Sequence, residues 1–124
     1  MINVKDQVYR ALIRVAPNAS DMYPLSPPAD DELPLVVYCE EANNVYEKTD
    51  DEEQKATLRY RIDIFDKKST SATAQAIDAE VSALGLTREE CYDVQDATEY
   101  RHKCMRYGGV IDVTTENMYW TRNR

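Results

Sequence analysis

Lys55-Ala56-Thr57-Leu58-Arg59-Tyr60-Arg61-Ile62-Asp63-Ile64-Phe65-Asp66 is the stretch on which the fold of this chain turns. Leu58, Tyr60, Ile62 and Ile64 fall on one face of an extended strand. Thr57, Arg59, Arg61 and Asp63 fall on the other, and Phe65 breaks the alternation. Successive side chains of a strand point to opposite sides, so a period of two predicts one buried face and one polar face. Lys67-Lys68-Ser69-Thr70-Ser71 then leads directly into a helix start. The stretch predicts the central strand of a sheet.

The rest of the chain is read outward from that strand. The 124 residues make one domain with a single core. A formal net charge of −8 argues against general binding to a nucleic-acid backbone, which needs clustered Lys and Arg. Cys39, Cys91 and Cys104 leave one thiol over under any pairing, which points to free thiols in a reducing compartment. The start Met1-Ile2-Asn3-Val4-Lys5-Asp6 lacks the basic and then apolar build of a signal peptide, and no run is long enough to span a membrane. A soluble, cytoplasmic protein is expected. Nine tyrosines beside a single Phe and a single Trp suggest half-wet surfaces, because the tyrosine ring is apolar and its tip polar.

Upstream, Val4, Val8, Ala11, Leu12 and Val15 recur at helical spacing, with Asn3 as N-cap and Pro17 as stop. Residues 17–34, punctuated by Pro17, Pro24, Pro27, Pro28 and Pro34, read as an irregular connection anchored by Met22, Tyr23 and Leu25. Leu35-Val36-Val37-Tyr38-Cys39 is the first strand, and a polar excursion through Asn43-Asn44 and Lys48 to Glu53 makes a hairpin with a long acidic tip. Downstream, Ala74, Ile77, Val81 and Leu84 form the apolar stripe of a helix over 72–84. Gly85 suits the left-handed residue after it. Cys91 to Val94 is a short strand and Glu99 to Val113 a longer one, interrupted at Gly108-Gly109 by a bulge or a close backbone approach. Residues 108–124 form a C-terminal extension whose Tyr119-Trp120 end is aromatic and then basic. The order α-β-β-α-β-β predicts an α+β fold: two layers, with helices on one face of a mainly antiparallel sheet.

Catalytic signals are thin. His102 is the only histidine, and it shares a strand face with Cys104, but a zinc site needs further ligands, and Cys39 and Cys91 do not make a C-x-x-C pair. A Cys-His nucleophile pair fits poorly at strand spacing. Asp50-Asp51-Glu52-Glu53 lacks the alternate spacing and the Gly of a calcium loop, so solvated loop charge is the simpler reading. Asp63 and Asp66 imitate a nuclease carboxylate pair without its supporting motif. No catalytic, cofactor or metal residue is assigned.

Taken together, Leu33-Pro34-Leu35-Val36-Val37-Tyr38, the run Tyr60 to Thr70, the helix ending Leu84-Gly85-Leu86, Tyr92-Asp93, and Tyr100-Arg101-His102-Lys103-Cys104-Met105-Arg106-Tyr107 resemble the tail-completion, or tail-terminator, proteins of long-tailed bacteriophages and prophages. The resemblance covers roughly residues 30 to 107. It implies a non-enzymatic virion protein in the phage tail, and in the host cytoplasm during assembly. Such a subunit forms a homo-oligomeric ring, commonly a hexamer, that caps the head-proximal end of the tail tube. Its partners are further copies of itself, the tail tube protein and the head connector protein, and DNA passes through the lumen without specific binding. Asp50, Asp51, Glu52 and Glu53 at the hairpin tip, with Tyr119 and Trp120, are the candidate lumen or partner residues. The alternatives are a monomeric head–tail adaptor, or a small metal-dependent accessory nuclease using Asp63, Asp66 and His102.

Overall fold

A computed structural model describes residues 3–21, 29–49, 52–95, 99–112 and 119–121, with backbone alone at 47–49, 52–54, 112 and 119–121. The fold is mixed α+β. Helix α1 (Lys5–Ile13) is followed by a two-residue strand β1 (Ser20–Asp21) and a 3-10 turn (Asp30–Glu32). Strands β2 (Leu35–Thr49) and β3 (Glu52–Asp66), helix α2 (Ser71–Ser82), β4 (Thr87–Val94), β5 (Arg101–Asp112) and β6 (Tyr119–Thr121) complete it. The sheet order is β1-β2-β3-β5-β4. Only β1 with β2 is parallel, and every other pairing is antiparallel. Since β3 lines one side of β5 over its whole length, β4 and β6 share the other side, at opposite ends.

β3 is central, as its alternation requires. Ala56, Leu58, Tyr60, Ile62 and Ile64 are buried in one core with Val36 and Tyr38 of β2 and Met105, Tyr107 and Ile111 of β5. The same core takes Val8, Ala11 and Leu12 from α1 and Ala74, Ile77 and Val81 from α2. Each fully buried aliphatic side chain contributes on the order of 2 kcal/mol, so this cluster is the main source of stability. Neither helix is long enough to persist alone, and both depend on that contact. Gly85 ends the α2 turn at φ 96°, a conformation that a Cβ would strain.

Two core tyrosines change how the tyrosine count is read. Tyr60 and Tyr107 have no exposed surface, and their hydroxyls donate to Glu40 Oε1 (2.9 Å) and Asp78 Oδ1 (2.6 Å). Burial, reinforced by those carboxylates, pushes both phenols well above their ordinary value. Among the described residues Tyr9, Tyr46 and Tyr92 are exposed and Tyr100 is half-buried.

Several boundaries differ from expectation for physical reasons. α1 ends at Ile13, short of the expected stop at Pro17, and Val4 occupies its N-cap position while Asn3 Oδ1 accepts from the Lys5 amide at 3.1 Å. The polar excursion after Cys39 is strand, not loop: β2 runs to Thr49 and pairs with Glu52, carried by backbone bonds that need no apolar side chain. It bends through register shifts at Glu40/Ala42, Val45/Glu47 and Glu47/Lys48. β4 starts at Thr87, earlier than expected, because its residues are mostly exposed and leave no alternation to read. Gly108-Gly109 does not interrupt β5, whose register against β3 is continuous. Phe65 keeps the alternation and stacks on His102 at 4.2 Å between ring centroids. Met22, Tyr23, Leu25, Pro24, Pro27, Pro28 and the end of the chain beyond Thr121 lie outside the described residues.

Candidate interaction surface

The second face of the sheet carries the charged residues, and strand register decides which of them meet. Arg61 lies between Cys39 and Arg106, Asp63 between Val37 and Cys104, and Phe65 between Leu35 and His102. At the Asp63 end this face is closed. Leu35, Val37 and Cys104 are buried, Asp63 is 2 % exposed and His102 9 %. Asp63 takes two bonds from Arg61 (Nε to Oδ2 2.9 Å, Nη2 to Oδ1 3.2 Å), and His102 Nε2 donates to Oδ1 at 2.6 Å. A buried carboxylate needs such compensation, and here a guanidinium and an imidazole share the task.

The other end is an open charge lattice. Arg106 donates to Glu41 (3.0 Å), Glu90 (2.9 Å) and the Tyr92 hydroxyl (2.8 Å), and these acceptors hold its guanidinium firmly ionised. Arg59 sits among Glu41, Glu89 and Glu90 at 3.6 to 3.8 Å, close enough to pair but not to hydrogen-bond, and its Nε is buried without a hydrogen-bond partner. Glu89 is the extra residue of a register shift in β4, between Arg88, opposite Tyr107, and Glu90, opposite Arg106. A Cβ at Gly108 would come within 2.5 Å of the Glu89 carboxylate. Here the expected close approach is real, but it is to a side chain.

The sheet also has two open edges. Beyond Tyr38, no strand of the described residues lies along the outer side of β2, where Val45 is 59 % and Tyr46 51 % exposed. At the opposite edge, β4 has no outer neighbour among the described residues and presents Cys91 and Tyr92. Unpaired edges offer a row of backbone donors and acceptors to another chain.

The expected site residues are distributed as follows. Glu52 and Glu53 open β3 opposite Thr49 and Lys48, so the acidic tip closes a two-stranded ribbon, while Asp50 and Asp51 lie outside the described residues. Trp120 and Tyr119 are laid against Ile111 and Asp112 of β5 by β6. Of the nuclease trio, Asp63 and His102 meet but Asp66 does not join them. Asp66 Oδ1 accepts from the Lys68 amide (3.2 Å), and the Asp63 oxygens are already engaged. Among the described residues no cluster of three His, Cys, Asp or Glu is placed to hold a metal. No described helix is long and apolar enough to cross a membrane. The Arg59–Arg106 lattice was missed by the sequence reading; the odd-numbered arginines of β3 were its only sign.

No protein-family model matches the chain, and no curated protein matches it. Among solved structures, a chain from the virion of a native gene transfer agent particle is similar over 85 % of this chain and 91 % of its own. The TM-score is 0.51 at 16 % identity. What this chain shares with that virion component is the fold.

Proposed function

We propose that the chain is a structural subunit of a phage-type virion that caps the head-proximal end of the tail tube as a ring, joining tail to head. The observation that carries the reading is the fold held in common with a gene transfer agent virion chain, across nearly the full length of both. The surface supports it. A ring subunit must present two different surfaces to its two neighbours, and the β2 and β4 edges differ in length, burial and side chains. Both helices share one core with the buried strand residues, which leaves the charged strand residues and the ribbon for contacts. The acidic tip at Asp50 to Glu53 faces the lumen or the tube, where negative charge discourages DNA from adhering. The engagement of both Asp63 oxygens by Arg61 and His102 weighs against the nuclease alternative.

The test is the solution mass by light scattering after size exclusion, with negative-stain images of the same fractions and of mixtures with purified tail tubes. Rings, free or seated on tube ends, are the expected result. A monomer that also ignores tail tubes overturns the reading.

A further inference from the structure

β6 and β4 lie end to end on one side of β5. The last paired residue of β6 is Thr121, opposite Val110, and β4 begins at Thr87, opposite Gly108, which leaves only Gly109 between them. An extended continuation of β6 would meet Thr87 after one residue, so its way on is out of the sheet plane. The core side is taken: α2 packs there, and its connection to β4 arrives from there, with Leu86 buried in the same core. The open exit is the second face, which carries the Arg59–Arg106 lattice.

Glu89 stands at that exit, over Gly108 and half-exposed. Among the described residues it accepts no hydrogen bond, and its ion pair to Arg59 is long, at 3.8 Å. Glu41 and Glu90, by contrast, are both held by Arg106. Three carboxylates facing two guanidinium groups leave the lattice short of one positive charge, and the shortfall sits at Glu89. The residues that follow Thr121 are Arg122-Asn123-Arg124, two arginines in a chain of net charge −8. Val110 and Gly108 are two residues apart on β5, about 7 Å, whereas three extended residues span about 10 Å before any side chain is added. We propose that segment 122–124 docks on the second face of its own chain, an arginine completing the lattice at Glu89. Exposed pairs of this kind are worth up to about 1 kcal/mol each, so the contact is reversible and sensitive to salt. It assigns a place to the basic end of the C-terminal extension and does not depend on the virion reading.

The experiment reads the heteronuclear NOE of amides 122–124 in the ¹⁵N-labelled full chain, with the β5 amides as reference. At about 0.01 M salt, where charges act over about 30 Å, the values for 122–124 should approach those of β5. At about 1 M, where that length falls to about 3 Å, they should drop to those of an unattached segment. Glu89→Gln, and Arg122→Gln combined with Arg124→Gln, should each lose the low-salt order, while Arg122→Lys combined with Arg124→Lys keeps it. Glu80→Gln, which removes a carboxylate paired with Arg14 instead, should leave it unchanged. Values that are low at both salt concentrations, or high and unaltered by Glu89→Gln, overturn the proposal. A fall on dilution at low salt puts the segment on a second copy and overturns the contact within one chain.

Discussion

Asp63 is where the second sheet face stops being a surface and becomes a second small interior. With 2 % of its surface exposed, it is held by Arg61 from its own strand and by His102 from the next. Asp63→Asn preserves shape but replaces one acceptor with a donor, so Arg61 or His102 must face an N–H in a dry environment. Breaking a buried ionic contact from one side costs on the order of 3 kcal/mol. Urea denaturation should show a lower midpoint at unchanged slope. Asp66→Asn, three residues along the same strand, should stay within about 0.5 kcal/mol of the parent, as substitutions away from buried features do. Equal effects from both would mean that the Asp63 cluster adds nothing beyond ordinary strand-end polarity. The sequence could not show this pairing. Asp63 and His102 lie 39 residues apart, and only the β3–β5 register, itself set by packing on the other face, brings them together.

The register shift of β4 positions Glu89 above Gly108, and the consequence is measurable. Gly108 lies in regular strand, so alanine suits the backbone, yet its Cβ displaces the flexible Glu89 carboxylate from Arg59. Because that pair is long (3.8 Å) and exposed, Gly108→Ala should cost about 1 kcal/mol or less. In a Glu89→Ala background the cost should vanish or reverse, since nothing is left to displace and alanine restricts the unfolded chain. A double-mutant cycle with no coupling would refute the contact. At this scale the sequence was most legible where one face is buried. Leu58, Tyr60, Ile62 and Ile64 are all buried, as are Ala74, Ile77 and Val81 of the α2 stripe, while Leu84 of that stripe is partly buried. It was least legible in the outer half of β2 and in β4. There most described side chains are partly or wholly exposed and backbone bonding, which leaves no sequence period, makes the strand. The two-residue β1, parallel to β2 at Val37 and Tyr38, had no signal at all, since two residues are too few to show a period.

For the whole molecule, two consequences follow from what is buried and what is left open. Tyr60 and Tyr107 are fully buried and their folded-state values are raised above the ordinary 10.0. Below about pH 10 both states keep the proton, and the stabilisation is fully present. As pH rises further the unfolded chain ionises first, so stability falls by up to about 1.4 kcal/mol per pH unit for each group. Thermal midpoints should therefore decline above about pH 10, and less steeply in Tyr107→Phe once its own lower starting stability is subtracted. The second consequence concerns assembly. If neighbours in the proposed ring join the β2 edge of one copy to the β4 edge of the next, the contact is heterologous, and each copy uses both edges. Lysine on an edge strand opposes pairing, so Val45→Lys should disable one edge and Cys91→Lys the other, both at exposed positions. Each variant alone then has no competent interface and stays monomeric. Mixed, the intact β4 edge of the first meets the intact β2 edge of the second, and the product stops at a dimer because its outer edges are both blocked. Light scattering of the mixture separates the possibilities. A dimer that neither variant forms alone establishes the head-to-tail contact, whereas rings from either single variant, or monomers from the mixture, place the subunit contact elsewhere.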